Sequence, residues 1–204
     1  VDPAGKKIIT AHIGNGGSLT AVDAGKVIET TMGFTPLAGI MMGTRSGDID
    51  PSILEFICNK KGITIAEATN ELNKKSGLLG VSGVSSDSRD VEIAASEGNE
   101  RAILAQEMYA QKVANYIAMY NNMLNGADVI IFTAGVGENS NVIRGTVIPM
   151  VAEALGIEYD VNETIKTPIC NGKGVKLSGP NSKVEVLIIP TNEELMMCRD
   201  TYEI

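Results

Sequence analysis

Residues 7–31 read KIITAHIGNGGSLTAVDAGKVIETT, and this stretch decides the fold class. Lys7 to Ile13 is rich in β-branched residues and stops at Gly14, as a strand ending in a turn should. Ser18 to Val22 reads as a second strand, Asp23-Ala24-Gly25 as a turn, and Lys26 to Thr31 as a third strand. The three together form a β-meander.

Outward from the meander the pattern becomes helical. A glycine-rich loop covers Met32 to Asp50; Asp50-Pro51 then reads as an N-cap with proline at the first helical position, opening a helix to about Asn59. Thr64-Ile65-Ala66-Glu67 matches a capping box, so a second helix is expected to about Lys75. Ser76 to Asp90 reads as a loop. Asn99 to Leu124 is the strongest helix, because Ala102, Ala105, Tyr109, Val113, Tyr116, Ile117, Tyr120 and Leu124 recur at three- and four-residue steps.

Asp128 to Thr133 reads as a buried strand and Ser140 to Leu155 as a helix with a break near Pro149. Residues 160–182 read as a polar surface excursion, Val184 to Ile189 as a last strand, and Thr191-Asn192-Glu193-Glu194 as a capping box before a terminal helix. Meander, helices, then strand, helix, strand, helix specify an α/β domain: a mixed sheet with flanking helices. No repeat or linker divides residues 1–204, so one domain is expected.

Composition removes several functions. With 204 residues, 44% apolar and 21% charged, the chain is that of a globular protein, and no segment is long and apolar enough to span a bilayer. A formal net charge of −8 leaves no Lys/Arg surplus for nucleic acid. Cys58, Cys170 and Cys198 are odd in number and widely spaced, which suggests reduced thiols in the cytoplasm rather than disulfides or a zinc site. His12 is the one histidine, so centres built from several are excluded; on composition alone, a structural role for it is as good a reading as a functional one.

The functional signal is four glycine-rich segments where strands should end: residues 12–18, 39–48, 80–89 and 135–140. Glycine lets backbone N–H groups approach an anion closely. Any one segment could be an ordinary turn. There is no G-x-x-x-x-G-K-[ST], which argues against a P-loop, and Gly135-x-Gly137 lacks the third glycine of a dinucleotide fingerprint, with Ser140 in its place. Arg45 stands among small residues and two acids, where its planar fork suits a transferring phosphoryl group. A structural pair with Asp48 or Asp50 is the alternative, and the sequence admits both. Glu193, near a helix start, suits either the helix dipole or a Mg²⁺ ion; Glu194 fits the box position better, which leaves Glu193 for the metal.

Taken in order, HIGNGGSLTAV (12–22), MGFTPLAGIMMGTRSGDIDP (32–51), GVSGVSSDSRD (80–90), FTAGVGENS (132–140) and IPTNEEL (189–195) resemble the acetokinase family. The likeness runs from about Ile8 to Arg199, with small departures at Gly17 and Ser88. It implies the ribonuclease H-like fold of the actin and sugar kinase superfamily, and ATP-dependent phosphorylation of a short carboxylic acid to an acyl phosphate. Acetate leads over propionate or butyrate on closeness of match. A non-catalytic actin-like nucleotide-binding module is the rival of a different class; the Arg45 loop counts against it.

By resemblance, ATP or ADP is held by His12, Ile13, Gly14, Asn15 and Gly16, by Asp87, Ser88 and Arg89, and by Gly135, Val136, Gly137, Glu138 and Asn139. Arg45 matches the family's transition-state-stabilising arginine and Glu193 its Mg²⁺-binding glutamate. Family members are roughly twice as long, and the preceding part carries an N-terminal metal-site asparagine, the acid-binding arginine, the catalytic aspartate and a second stabilising histidine. This chain is therefore expected to be the C-terminal nucleotide-binding half, inactive alone, and a homodimer through this half.

Overall fold

The computed structural model describes residues 3–160 and 173–204. Strands β1 (Lys7–Ile13), β2 (Gly17–Asp23) and β3 (Lys26–Thr30) form the expected antiparallel meander. Period-two alternation sends Ile9, Ala11 and Ile13 of β1 inward, and register pairs Ile9 with Ala21 and Ala11 with Leu19 on the same buried side. Ala24 and Gly25 both take positive φ, 47° and 82°, the geometry that joins two twisted strands through a two-residue loop.

Helices α1 (Ile53–Lys61), α2 (Ile65–Lys74), α3 (Gly77–Ser82), α4 (Ser88–Ser96) and α5 (Glu100–Met123) follow. Then come β4 (Val129–Thr133), α6 (Ala134–Asn139), α7 (Asn141–Leu155), β5 (Val175–Lys176), β6 (Glu185–Ile188) and α8 (Glu193–Glu203). The sheet order is β3-β2-β1-β4-β6-β5. The pairs β1–β4 and β4–β6 are parallel, whereas β5–β6 is antiparallel. An antiparallel meander fused to parallel strands that are separated by helices is the ribonuclease H-like arrangement.

Helix α5 carries the core. Asn99 caps it by accepting from the Arg101 and Ala102 amides, worth about 1 kcal/mol. Its buried stripe, including Tyr109, Val113, Ile117 and Tyr120, packs on β1 and β2, and α7 packs on α5. Each such large side chain contributes about 1.5–3 kcal/mol on burial. The capping box of α2 is present in both directions between Thr64 and Glu67.

Five local expectations need correction. Helix α1 begins at Ile53, because Asp50-Pro51 forms a preceding turn in which the Asp50 carboxylate accepts from the Ser52 amide at 2.9 Å. The stretch 76–90 is not loop throughout; it holds α3 and the start of α4. Helix α3 survives its glycines because Arg101 donates to the carbonyls of Val81 (2.8 Å) and Gly80 (2.9 Å). The segment 135–140, read as a glycine loop, is helical through Asn139 as part of α6. Helix α7 runs unbroken through Pro149, since buried residues on both sides of it, Ile143, Val147, Val151 and Leu155, hold it in place. Finally, α8 is capped by the Asn192 side chain accepting from the Leu195 amide, not by Thr191.

Part of the expected 160–182 excursion, residues 161–172, lies outside the described residues, and its remainder contains β5. Cys58 and Cys198 carry free thiols, and Cys170 lies outside the described residues. Among the described residues, no helix is long and apolar enough to cross a membrane.

Candidate active site

Strands β1 and β4 run parallel and end side by side, with His12 in register with Thr133, so the residues after each face one another. After β1 comes the turn Gly14 to Gly16, closed by the Gly14 amide donating to the Gly16 carbonyl at 2.9 Å. After β4 comes α6, entered through Ala134 at φ 65°, a conformation rare outside glycine. The N-terminal end of α4, capped by Asp87, closes a third side. Together they border a cleft of about 710 Å³ lined by Gly14, Asn15, Leu78, Ser86, Asp87, Ser88, Arg89, Glu92, Gly135, Val136, Asn139 and Ser140. That volume is in the range that holds a small organic ligand.

Gly135 also borders a second cavity of about 480 Å³, with His12, Ala134, Thr191, Asn192, Glu193 and Glu194. The two spaces thus meet at the β4–α6 turn. Glu138 ties this turn to the start of α8, its Oε1 accepting from the Thr191 amide (2.9 Å) and hydroxyl (3.1 Å). Asn192 does the capping, so the Glu193 carboxylate is left without a hydrogen-bond partner among the described residues.

The Arg45 loop is held from several sides. The Gly43 amide donates to the Asn15 carbonyl (2.9 Å), joining the loop to the β1–β2 turn. The Leu78 amide donates to the Met42 carbonyl (2.9 Å), and the Ser76 amide to that of Thr44 (2.9 Å). Glycine is required here: a Cβ on Gly43 would lie 1.9 Å from Asn15 Oδ1 and 2.7 Å from the Ser86 carbonyl oxygen.

Arg45 Nη1 donates to the Pro36 carbonyl at 3.2 Å and lies 3.5 Å from Met42 Sδ. A Cβ on Gly16 would stand 3.4 Å from the same nitrogen, so the guanidinium borders the β1–β2 turn. Neither Asp48 nor Asp50 pairs with it among the described residues. Asp48 accepts from the Gly39 amide (2.8 Å) and the Tyr116 hydroxyl, and Asp50 from Ser52.

Asp87 and Arg89 form an ion pair at 2.5 Å, with Arg89 largely exposed. Hydrogen bonds from the Arg89 side chain and amide hold the Asp87 carboxyl down at about 2, so it stays ionised at any ordinary pH. Glu92 behaves oppositely: burial raises its pKa, with the Ser140 hydroxyl bond and the Arg144 charge opposing and Asp87 reinforcing the shift.

A model of the acetokinase family matches residues 3–199. The chain belongs to the acetokinase family. It is 53% identical over 198 residues to the acetate kinase of Methanosarcina acetivorans, covering 97% of this chain and 47% of that protein. Among solved structures, the acetate kinase of Porphyromonas gingivalis superposes with a TM-score of 0.92 at 45% identity, covering 100% of this chain and 50% of that one. A propionate kinase from Francisella tularensis superposes with a TM-score of 0.85 at 43% identity, over 94% of this chain and 48% of that one. The chain spans about half the length of the curated relatives it matches.

The acetokinase motifs converge in space. Gly14, Asn15, Asp87, Ser88, Arg89, Gly135, Val136 and Asn139 line the larger cleft, and His12 and Glu193 share the adjoining one. Of the other expected residues, Ile13 is a fully buried core residue, Gly137 is buried, Gly16 adjoins Arg45, and Glu138 bonds to Thr191. Leu78 and Glu92 line the cleft although no sequence motif marks them as site residues. Both sit on helices hidden by the glycine- and serine-rich character of residues 76–90. The N-cap pattern Asp87-Ser88-Arg89-Asp90 is the signal that could have revealed α4 and, through it, Glu92.

Gly135 offers a clean test of the cleft. It lies in α6 with nothing within 4 Å of an added Cβ. Gly135→Ala should therefore keep the thermal stability of the parent, with a change within about 0.5 kcal/mol. Mg²⁺-ADP affinity, measured by calorimetry, should fall several-fold if the nucleotide backbone passes close there.

Proposed function

We propose that this chain is the nucleotide-binding half of an acetate kinase, an enzyme that transfers the γ-phosphoryl group of ATP to acetate. The observation carrying this reading is the meeting of the glycine-lined cleft, the Arg45 guanidinium and the unpaired Glu193 carboxylate around the ends of β1 and β4.

An acetate oxygen would attack the γ-phosphorus in line while the bond to the bridging β–γ oxygen breaks, ADP leaving with the electron pair. The carboxylate is already ionised near neutral pH, so no strong base is required. Charge then spreads over the equatorial phosphoryl oxygens, where a preorganised guanidinium is most effective. Arg45 would supply it, its loop fixed beforehand by the bonds to Asn15 and α3. His12 and Asn15 would border the phosphates.

Glu193 suits a Mg²⁺ ion. A hard oxygen donor stands free beside His12 and Gly135, and no cluster of three or more His, Cys, Asp or Glu occurs among the described residues. One carboxylate completed by phosphate oxygens and water is a usual arrangement for this ion. When bound, Mg²⁺ neutralises phosphate charge.

The acid would be held mainly by the part of the relatives' length that this chain does not span, so the chain alone would make no acyl phosphate. Propionate is the second reading of the acceptor, favoured by the likeness to the Francisella enzyme. A homodimer through this half is supported by an uncovered stripe on α5, with Leu104, Met108, Met119 and Met123 exposed. The free thiols of Cys58 and Cys198 suit the cytoplasm.

The test is an enzyme of the relatives' full length built on this chain, supplied with ATP, Mg²⁺ and acetate or propionate, with acyl phosphate trapped by hydroxylamine. Acetate-dependent hydroxamate is expected, with propionate slower. Glu193→Ala should raise the Mg²⁺ concentration for half-maximal rate about tenfold or more. An unchanged metal titration would return Glu193 to a dipole role, and no hydroxamate with either acid would overturn the assignment.

A further inference from the structure

Glu92 lines the cleft but has no part in the reading above. It lies five residues beyond Asp87 on α4, about 7.5 Å along the axis at 1.5 Å per residue. Its Oε1 accepts the Ser140 hydroxyl at 2.5 Å, linking α4 to the start of α7. Ser140 does not depend on that bond for its capping role, since its oxygen also accepts the Ile143 amide at 3.0 Å. The other Glu92 oxygen has no hydrogen-bond partner among the described residues. That oxygen is open to the cleft rather than sealed in protein, so a ligand donor can reach it.

Charge sets the direction of a nucleotide in this cleft. An ionised carboxylate in the wall repels phosphates, and Arg89, the cation on the same helix, is already paired with Asp87, whereas the glycine turn at Gly14 and the Arg45 guanidinium bordering Gly16 favour them. The uncharged end, the base, is left facing Glu92, with Leu78 and Val136 among the neighbouring walls offering apolar surface to a flat ring. Building on the nucleotide reading, we propose that Glu92 selects the base, accepting a hydrogen bond from the exocyclic 6-amino group of adenine. A 6-oxo purine would turn an acceptor toward the same carboxylate and be disfavoured.

The experiment titrates the 204-residue chain with Mg²⁺-ADP and with purine riboside 5′-diphosphate, which lacks only the amino group. The parent chain should prefer ADP by about tenfold, the worth of a charge-assisted hydrogen bond. Glu92→Met should erase that preference while binding the purine riboside diphosphate within about threefold of the parent, at comparable affinity for both ligands. Glu92→Gln, which retains an oxygen acceptor and bulk, should keep a reduced preference and serves if the methionine variant does not fold. Equal affinity of the parent for the two diphosphates, or equal weakening of both by the variants, overturns the role of Glu92 and leaves the nucleotide site intact. Binding of neither diphosphate by the parent chain overturns the nucleotide reading itself.

Discussion

Arg45→Ala, in an enzyme of the relatives' full length built on this chain, should lower acetate-dependent phosphoryl transfer by about 10³–10⁵-fold, the range measured for arginines placed on a transferring phosphoryl group. Mg²⁺-ADP affinity should change by less than about threefold, because the stabilisation is realised as charge spreads in the transition state rather than in the ground state. The fold should tolerate the change. Arg45 makes one hydrogen bond, to the exposed Pro36 carbonyl, and a long approach to Met42 Sδ, and no carboxylate is left unpaired by its loss. Asp48 keeps the Gly39 amide and the Tyr116 hydroxyl. A rate within a few-fold of the parent would make Arg45 a structural residue. Arg45→Lys should restore little of the rate, because an ammonium lacks the planar fork.

Gly77→Ala should destabilise the chain by at least about 3 kcal/mol, lowering the thermal midpoint by about 6–12 °C or more for a protein of this size. Two causes add. Gly77 holds φ +61°, and a Cβ there would lie 2.1 Å from the Met42 carbonyl oxygen and 2.8 Å from that of Arg45. Both obstacles are backbone and cannot rotate away. Gly62→Ala separates the causes, since Gly62 holds φ +66° with nothing within 4 Å of an added Cβ. It should lose only about 1 kcal/mol. Equal losses at the two positions would mean that the overlap at Gly77 relaxes freely. Because the crowded carbonyls belong to the Arg45 loop, Gly77→Ala should also impair transfer in any fraction that folds.

These two glycines show which parts of the molecule could be read from residues alone. The meander was legible because alternation at Ile9, Ala11 and Ile13 and the Ala24-Gly25 turn are local signals. Helix α5 was legible because its stripe persists over many turns. Helices α3 and α6 were not, because glycine-rich segments of six residues become helical only when tertiary partners satisfy them, as Arg101 does for α3. Pro149 misled for the same reason, the flanking packing outweighing the lost hydrogen bond.

The site divides along similar lines. The order of motifs marked the glycine-rich segments, Arg45 and Glu193, which the fold gathers around the ends of β1 and β4. What sequence alone left open at Arg45, a phosphoryl ligand or a pair with Asp48 or Asp50, turns on hydrogen bonds between residues far apart in the chain, such as Tyr116 to Asp48. Glu92 was out of reach because its position depends on α4 having formed and on Ser140 crossing to it from α7.

Residues 1–204 should build a nucleotide site of their own. Isothermal titration of the 204-residue chain with Mg²⁺-ADP tests it most directly. Saturable binding at one nucleotide per chain, without acetate, is expected. A folded chain that shows no saturable heat would contradict it.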